Sequence, residues 1–183
     1  MQNPFAKKTS ISDDLPSELQ LSIKKYAKKD PNSRVKALEE ILEHLTANSS
    51  DLRLFSSFIP TFETEFPKWA SDPERKVREL ALAIVEALMQ QQQAKHKMER
   101  PILRIIFPLM TCLVDPTPEV SALGKAFFER HLALGGGRFA RLLELGMPNL
   151  ISGFRRAISL NSSFNSSYEE MQLFNAEEKL FVE

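Results

Sequence analysis

The dipeptide Asp-Pro occurs at 30–31, 72–73 and 115–116, at intervals of 42 and 43 residues. Five positions after each Asp stands a valine: Val35, Val77 and Val120. Eight positions after it stands a leucine: Leu38, Leu80 and Leu123. Twelve positions after it stands a third large apolar residue: Leu42, Ile84 and Phe127. Offsets of five, eight and twelve put three side chains on one face of a helix. Asp accepts a bond from a free backbone N–H and suits the positive end of the helix dipole. Proline fits the first helical position, where its missing N–H has no partner to lose. Each Asp-Pro therefore predicts the start of a helix, and the period predicts a two-helix repeat of the HEAT or armadillo kind.

The upstream partner of each helix reads near 15–28, 51–70 and 99–114, with Pro60, Pro67 and Pro108 inside the second and third. Interior proline removes a backbone bond and bends a helix, a feature of first helices in such repeats. A further helix near 138–158, with Pro148 inside it, looks like the first half of a fourth unit. The fold expected is an all-α solenoid of three to four helix pairs, spanning 14–158. Residues 1–13 are polar and expected to be disordered. Residues 159–183 open on the Ser/Asn-rich "SLNSSFNSSYEEMQ", a loop signal, followed by a short helix near 175–182 packed on the last repeat. The apolar residues are mostly Leu, Ile, Ala and Phe, which favours helix over strand. "ELALAIVEALM" (79–89) is apolar nearly all round, so the middle repeat is expected to be covered on both sides. "RVKALEEILEHL" (34–45) keeps the charged face of an end unit.

No enzymatic constellation emerges. "GGG" at 135–137 lacks the Lys and Ser/Thr of a phosphate loop and reads as a turn between repeats. His44, His96 and His131 are far apart and have no ligand partner at helical spacing. Cys112, the single cysteine, lies in an apolar helix and reads as a buried inert thiol. One cysteine supplies neither a disulfide nor a thiolate zinc site, so no cofactor is expected in this chain. Glu39, Glu40 and Glu43 read as a solvated helix face. The N-terminus has no apolar core of signal-peptide length, and "PILRIIFPLMTCLV" (101–114) is too short for a bilayer. A cytosolic monomer without membrane or small-molecule substrate is the expectation.

Binding features are stronger. Net charge is zero, but residues 1–36 hold eight Lys/Arg against four Asp/Glu, while 160–183 hold five Glu against one Lys. Lys24, Lys25, Lys28 and Lys29 cluster at the end of the first helix, and Arg34 and Lys36 follow. Two of these lysines suffice to compensate the helix dipole; the excess points to an anionic partner. "KWASDPERKVR" (68–78) adds Lys68, Trp69, Arg75 and Lys76. Trp69 is either a core residue or an exposed aromatic anchor. Arg78 is expected to bond to an aspartate of a neighbouring unit, whereas Arg75 and Lys76 are freer.

"LPSELQLSIKKYAKKDPNSRVKALEEILEHL" (15–45) and "FPKWASDPERKVRELA" (66–81) resemble the N-terminal region of listerin, a RING-type E3 ubiquitin ligase of ribosome-associated quality control. The matching residues are Lys28, Lys29, Asp30, Lys36, Ala37, Leu38 and Glu39 in the first stretch. In the second they are Trp69, Asp72, Arg75, Lys76, Val77, Arg78 and Glu79. The clear likeness covers 15–45 and 66–92; elsewhere only the helical-repeat character agrees. The resemblance implies the anchoring end of a long HEAT arch. That end docks on a stalled large (60S) ribosomal subunit, on rRNA or ribosomal protein, beside the quality-control factor bound there. A distant RING, the only part in which zinc is expected, ubiquitinates the nascent chain. Residues expected at the partner interface are Lys24, Lys25, Lys28, Lys29, Arg34, Lys36, Lys68, Trp69, Arg75 and Lys76. A tubulin-binding HEAT module of the TOG type and a HEAT scaffold or transport adaptor are the competing readings. The RING ligands are absent, and Ser121 stands where the other repeats carry a basic residue.

Overall fold

The computed structural model describes residues 14–90, 98–132 and 137–161. Seven α-helices, and no strand, occur among them: α1 (Ser17–Tyr26), α2 (Pro31–Ala47), α3 (Leu52–Ala70), α4 (Arg75–Gln90), α5 (Glu99–Thr111), α6 (Pro118–Phe127) and α7 (Gly137–Asn161). A 3-10 turn, Cys112–Val114, extends α5, and a π-helical turn, Phe128–Leu132, extends α6. The first helices of successive units form one layer, with α3 against α5 and α5 against α7. The second helices form the other, with α2 against α4 and α4 against α6. The fold is the expected all-α repeat solenoid. Helix α7 runs through 159–161, past the expected boundary at 158. The expectations for 1–13, for the loop after Asn161 and for a helix near 175–182 lie outside the described residues.

The core follows the stripes. In α3, Phe55, Phe58, Phe62, Phe66 and Trp69 recur at helical spacing and are all buried. Helix α4 buries Val77, Leu80, Ala81, Leu82, Ile84, Val85, Leu88 and Met89, as a helix packed between α2 and α6 must. Helix α2 exposes Lys36, Glu39 and Glu43, as expected of an end unit. The helices continue through Pro60, Pro67, Pro108 and Pro148. Hydroxyls three or four residues on, Thr64, Ser71 and Thr111, donate to the carbonyls of the first three prolines.

Two features of the inferred repeat register need correction. Asp30 does cap α2, its Oδ2 accepting from Ser33 N at 2.8 Å. Asp72 and Asp115 do not begin their helices, which start three residues later, at Arg75 and Pro118. They instead close short turns, accepting from Glu74 N and Thr117 N at 2.8 Å. The first unit is accordingly shifted by two residues. Its buried small residue Ala37 corresponds to Ala81 and Gly124, and Val35 is only half-buried. Leu123, expected in the stripe, is 45% exposed.

Close approach of neighbouring helices requires two of the glycines. A Cβ on Gly124 would meet Cys112 O at 2.9 Å. On Gly153 of α7 it would meet the Phe107 ring of α5 at 2.2 Å. Gly153→Ala must push Phe107 aside and break its edge-to-face contact with Phe154 (centroids 5.0 Å apart). The expected loss is about 1–3 kcal/mol, seen as a lower thermal midpoint by calorimetry. An unchanged midpoint would contradict the packing of α7 on α5.

Candidate functional site

The turns inside the three complete units lie along one edge of the stack, joined by Arg–Asp rungs. The first rung is Arg34 of α2 to Asp72, Nε to Oδ2 at 2.9 Å and Nη2 to Oδ1 at 3.1 Å. The Asp72 side chain is 4% exposed, so its charge is out of water and must be fully bonded. Tyr26 of α1 donates to Oδ2 at 2.9 Å, and Glu74 N reaches Oδ1. Burial, and then this bond to Asp72, push the Tyr26 phenol well above its ordinary value. The second rung is Arg78 of α4 to Asp115, at 2.7 and 3.1 Å. Arg78 also donates to the carbonyls of Asp72 and Pro73 and to Thr117 Oγ1. The rungs thus run on without a gap, since Asp72 accepts from Arg34 through its side chain and from Arg78 through its backbone. Ser121 takes the third position and bonds Leu113 O instead.

This edge sorts the ten residues expected at an interface. Lys24, Lys28, Lys29 and Lys36 are exposed at the first turn and form no ion pair among the described residues. Lys25 is held by both oxygens of Glu40 at 2.8 Å. That bond first, and then one from Ser22, keep the Glu40 carboxyl below its usual range. Arg34 is a structural rung. Lys68 is exposed but bonded to the buried Glu65 at 2.7 Å. Arg75 pairs with Glu79 at 3.1 Å and Glu119 at 3.3 Å, and Lys76 pairs with Glu79 at 3.3 Å. Trp69 is 0% exposed, packed against Phe62 and, edge-on, Tyr26. It is therefore core, and not an exposed aromatic anchor.

The rung and the lysines are mechanically connected. Arg34 Nη1 also holds Lys29 O at 2.6 Å, so the guanidinium that clamps Asp72 fixes the backbone of the lysine turn. Charge falls away along the edge. Residues 24–36 carry six Lys/Arg (Lys24, Lys25, Lys28, Lys29, Arg34, Lys36) against Asp30 alone, while 112–121 carry Asp115 and Glu119 and no cation.

No cluster of three or more His, Cys, Asp or Glu among the described residues could hold a metal ion. No helix of the described residues is long and apolar enough to cross a membrane. Cys112 is buried, and burial first, with Asp115 nearby, raises its thiol to about 12, which leaves it protonated and unreactive. His131 lies 2.9 Å from Glu86, and Arg130 pairs with the same carboxylate. This trio ties the end of α6 to α4.

The model of the listerin E3 ubiquitin-protein ligase N-terminal domain matches residues 11–145, and the chain belongs to that family. The E3 ubiquitin-protein ligase listerin of Drosophila melanogaster is 28% identical over 114 residues. That match covers 58% of this chain and 6% of the fly protein. No solved structure matches.

The rungs make two predictions. Asp72→Ala leaves Arg34 half-buried without its carboxylate and should cost about 3 kcal/mol, the low end for one partner of a buried pair. An unfolding curve in urea checks this, and Arg34→Ala combined with Asp72→Ala should cost clearly less than the two single losses added. Asp115 gives the pH dependence. Burial acts to raise its carboxyl, but the Arg78 and Thr117 bonds outweigh it, so the folded value lies below the ordinary 3.8. Its contribution is complete above the unfolded value, about pH 4, and is lost as pH falls through the lower folded one. Stability measured down to about pH 2 should fall less steeply in Asp115→Asn than in the parent.

Proposed function

We propose that this member of the listerin N-terminal domain family is the anchoring module of a ribosome-associated ligase. It holds the large ribosomal subunit that carries a stalled nascent chain. The observation that carries the reading is the first turn and its flanks: Lys24, Lys28, Lys29 and Lys36 are exposed and form no ion pair among the described residues, and Arg34 pins the backbone of the turn at Lys29. Four unpaired ammonium groups cost nothing to detach from internal partners when they meet an anionic surface. The paired cations Lys25, Lys68, Arg75 and Lys76 would have to exchange one carboxylate for another anion, so they contribute less. The partner is the phosphate-rich surface of the large subunit, with the quality-control factor bound beside it. This chain supplies grip and orientation, and ubiquitin transfer belongs to a RING elsewhere in a full-length ligase. The place of action on this reading is the cytosolic ribosome.

The test is co-sedimentation of the chain with purified 60S particles across a salt series. Binding should weaken with salt at a slope set by about four released counterions. Charge reversal of Lys24, Lys28, Lys29 and Lys36 to Glu should abolish co-sedimentation, with helicity by circular dichroism unchanged. Charge reversal of Lys68, Arg75 and Lys76 should weaken it less. A fourfold-reversed chain that still pellets like the parent would sink the proposal, and selective binding to tubulin dimers instead would favour the alternative module.

A further inference from the structure

Helix α4 is packed between α2 and α6, whereas α2 meets α4 alone within that layer. On its other side α2 forms an open groove with α1, about 400 Å³ in volume. Glu18, Leu19 and Leu21 of α1 line it, with Glu43, His44 and Ala47 of α2. Leu19 is buried, Leu21 is 56% exposed and Ala47 is exposed, so apolar surface runs from inside the groove to its rim. One end is closed by internal bonds: Lys25 and Ser22 both donate to Glu40, at 2.8 and 2.6 Å, and that carboxylate is satisfied. The other end is not. Glu18, its side chain 82% exposed, reaches only His44 among the described residues, 3.5 Å away. Glu43 is exposed and pairs with no cation among the described residues. The groove thus holds the carboxylates of Glu18, Glu40 and Glu43 against the single ammonium of Lys25.

We propose that this groove docks a helix of another protein, one that carries a stripe of leucine-like side chains with Lys or Arg beside it. Shape is the first argument. The two helices run antiparallel, and their lining residues recur at spacings of three and four, as Glu18, Leu21 and Lys25 on one and Glu40, Glu43 and Ala47 on the other. Such rows leave a furrow into which the ridge of a third helix fits. Apolar surface is the second: the stripe would cover Leu21 and Ala47. Charge complementarity is the third. Cations beside the stripe reach Glu18 and Glu43, and the one ammonium they meet, Lys25, is already neutralised by Glu40. An acidic helix of the same shape would meet two unbalanced carboxylates and is rejected. Glu39, exposed but outside the groove, remains a solvated side chain. The first helix pair is therefore bipolar, with the lysine turn at one end and the acidic groove towards the other. This inference does not rest on ribosome binding.

The probe is a synthetic amphipathic helix of leucine and lysine, added to the full 183-residue chain while amide shifts are followed by NMR. Saturable shifts should appear at Leu21, Ser22, His44 and Ala47, and not at the turn around Lys29. The same peptide with glutamate in place of lysine should leave these amides unshifted. Leu21→Asp should weaken binding about tenfold, and Glu18→Lys combined with Glu43→Lys by about as much. The three substituted side chains are exposed, so helicity by circular dichroism should stay at the parent value. No saturable shift, equal binding of the glutamate peptide, or an affinity indifferent to these substitutions would overturn the proposal. So would shifts of the same amides on raising the concentration of the chain alone, which would make a second copy the occupant.

Discussion

A carboxylate taken out of water must find its donors in fixed places, and Asp72 has four bonds from three different helices or turns. Tyr26 comes from α1, Arg34 from α2 with two bonds, and the Glu74 amide from its own turn. Apolar stripes by themselves allow one helix pair to slide on the next, because methyl groups tolerate many registers. The rung does not. A displacement of one helical turn, about 5.4 Å, would leave Asp72 charged and unbonded, which costs more than any single apolar contact regains. Arg78 and Asp115 repeat the device one unit later and anchor the arginine on the backbone of the first rung. The stack therefore has a defined edge, and the turns that compose it stay in line.

That edge decides which cations remain for a partner. Many basic side chains of the first two units are already used internally. Arg34 and Arg78 hold the stack, Lys25 neutralises Glu40, Lys68 neutralises the buried Glu65, and Arg75 and Lys76 share Glu79. Four lysines at the first turn are left over. A zero net charge over the chain is compatible with an anion-binding end because the neutralisation is local, not averaged.

The period, the helical class and the central position of the middle repeat were legible because apolar spacing and burial obey the same geometry. The register of the first unit was not. Asp30-Pro31 reads the same as Asp72-Pro73 in sequence, yet Asp30 caps a helix start whereas Asp72 closes a turn and serves as a rung. Local capping chemistry is indifferent to which residue will lie across from it 37 or 38 positions away. The spacing from Arg34 to Asp72 and from Arg78 to Asp115 was the available signal, and it names the true equivalents where the Asp-Pro count misaligned them. Arg34 was read as a partner-binding cation for the same reason: an arginine beside lysines looks like a patch until its acceptor is located. Trp69 shows the opposite limit. Its position at a helix end beside basic residues fits an anchor or a core residue equally, and only the aromatic spacing of α3, continuing from Phe55 through Phe66, places it inside.

A repeat protein built in this way separates two tasks that often compete. Binding surfaces need unsatisfied charge, and unsatisfied charge destabilises a fold when buried. Here the carboxylates that carry strong bonds sit between units, and the ammonium groups without partners sit on the outside of a turn already held by its backbone. Arg34 joins the two, with one nitrogen on Lys29 O and two on Asp72. Removing a lysine head leaves that clamp intact, whereas removing the clamp frees the turn that presents the lysines. The exposed lysines can therefore be substituted with little effect on stability, while the rung positions admit no such freedom. The graded charge along the edge, six cations around the first turn and none around the third, then gives the stack a polarity: the exposed lysines lie at one end, and the rest of the stack leads away from them.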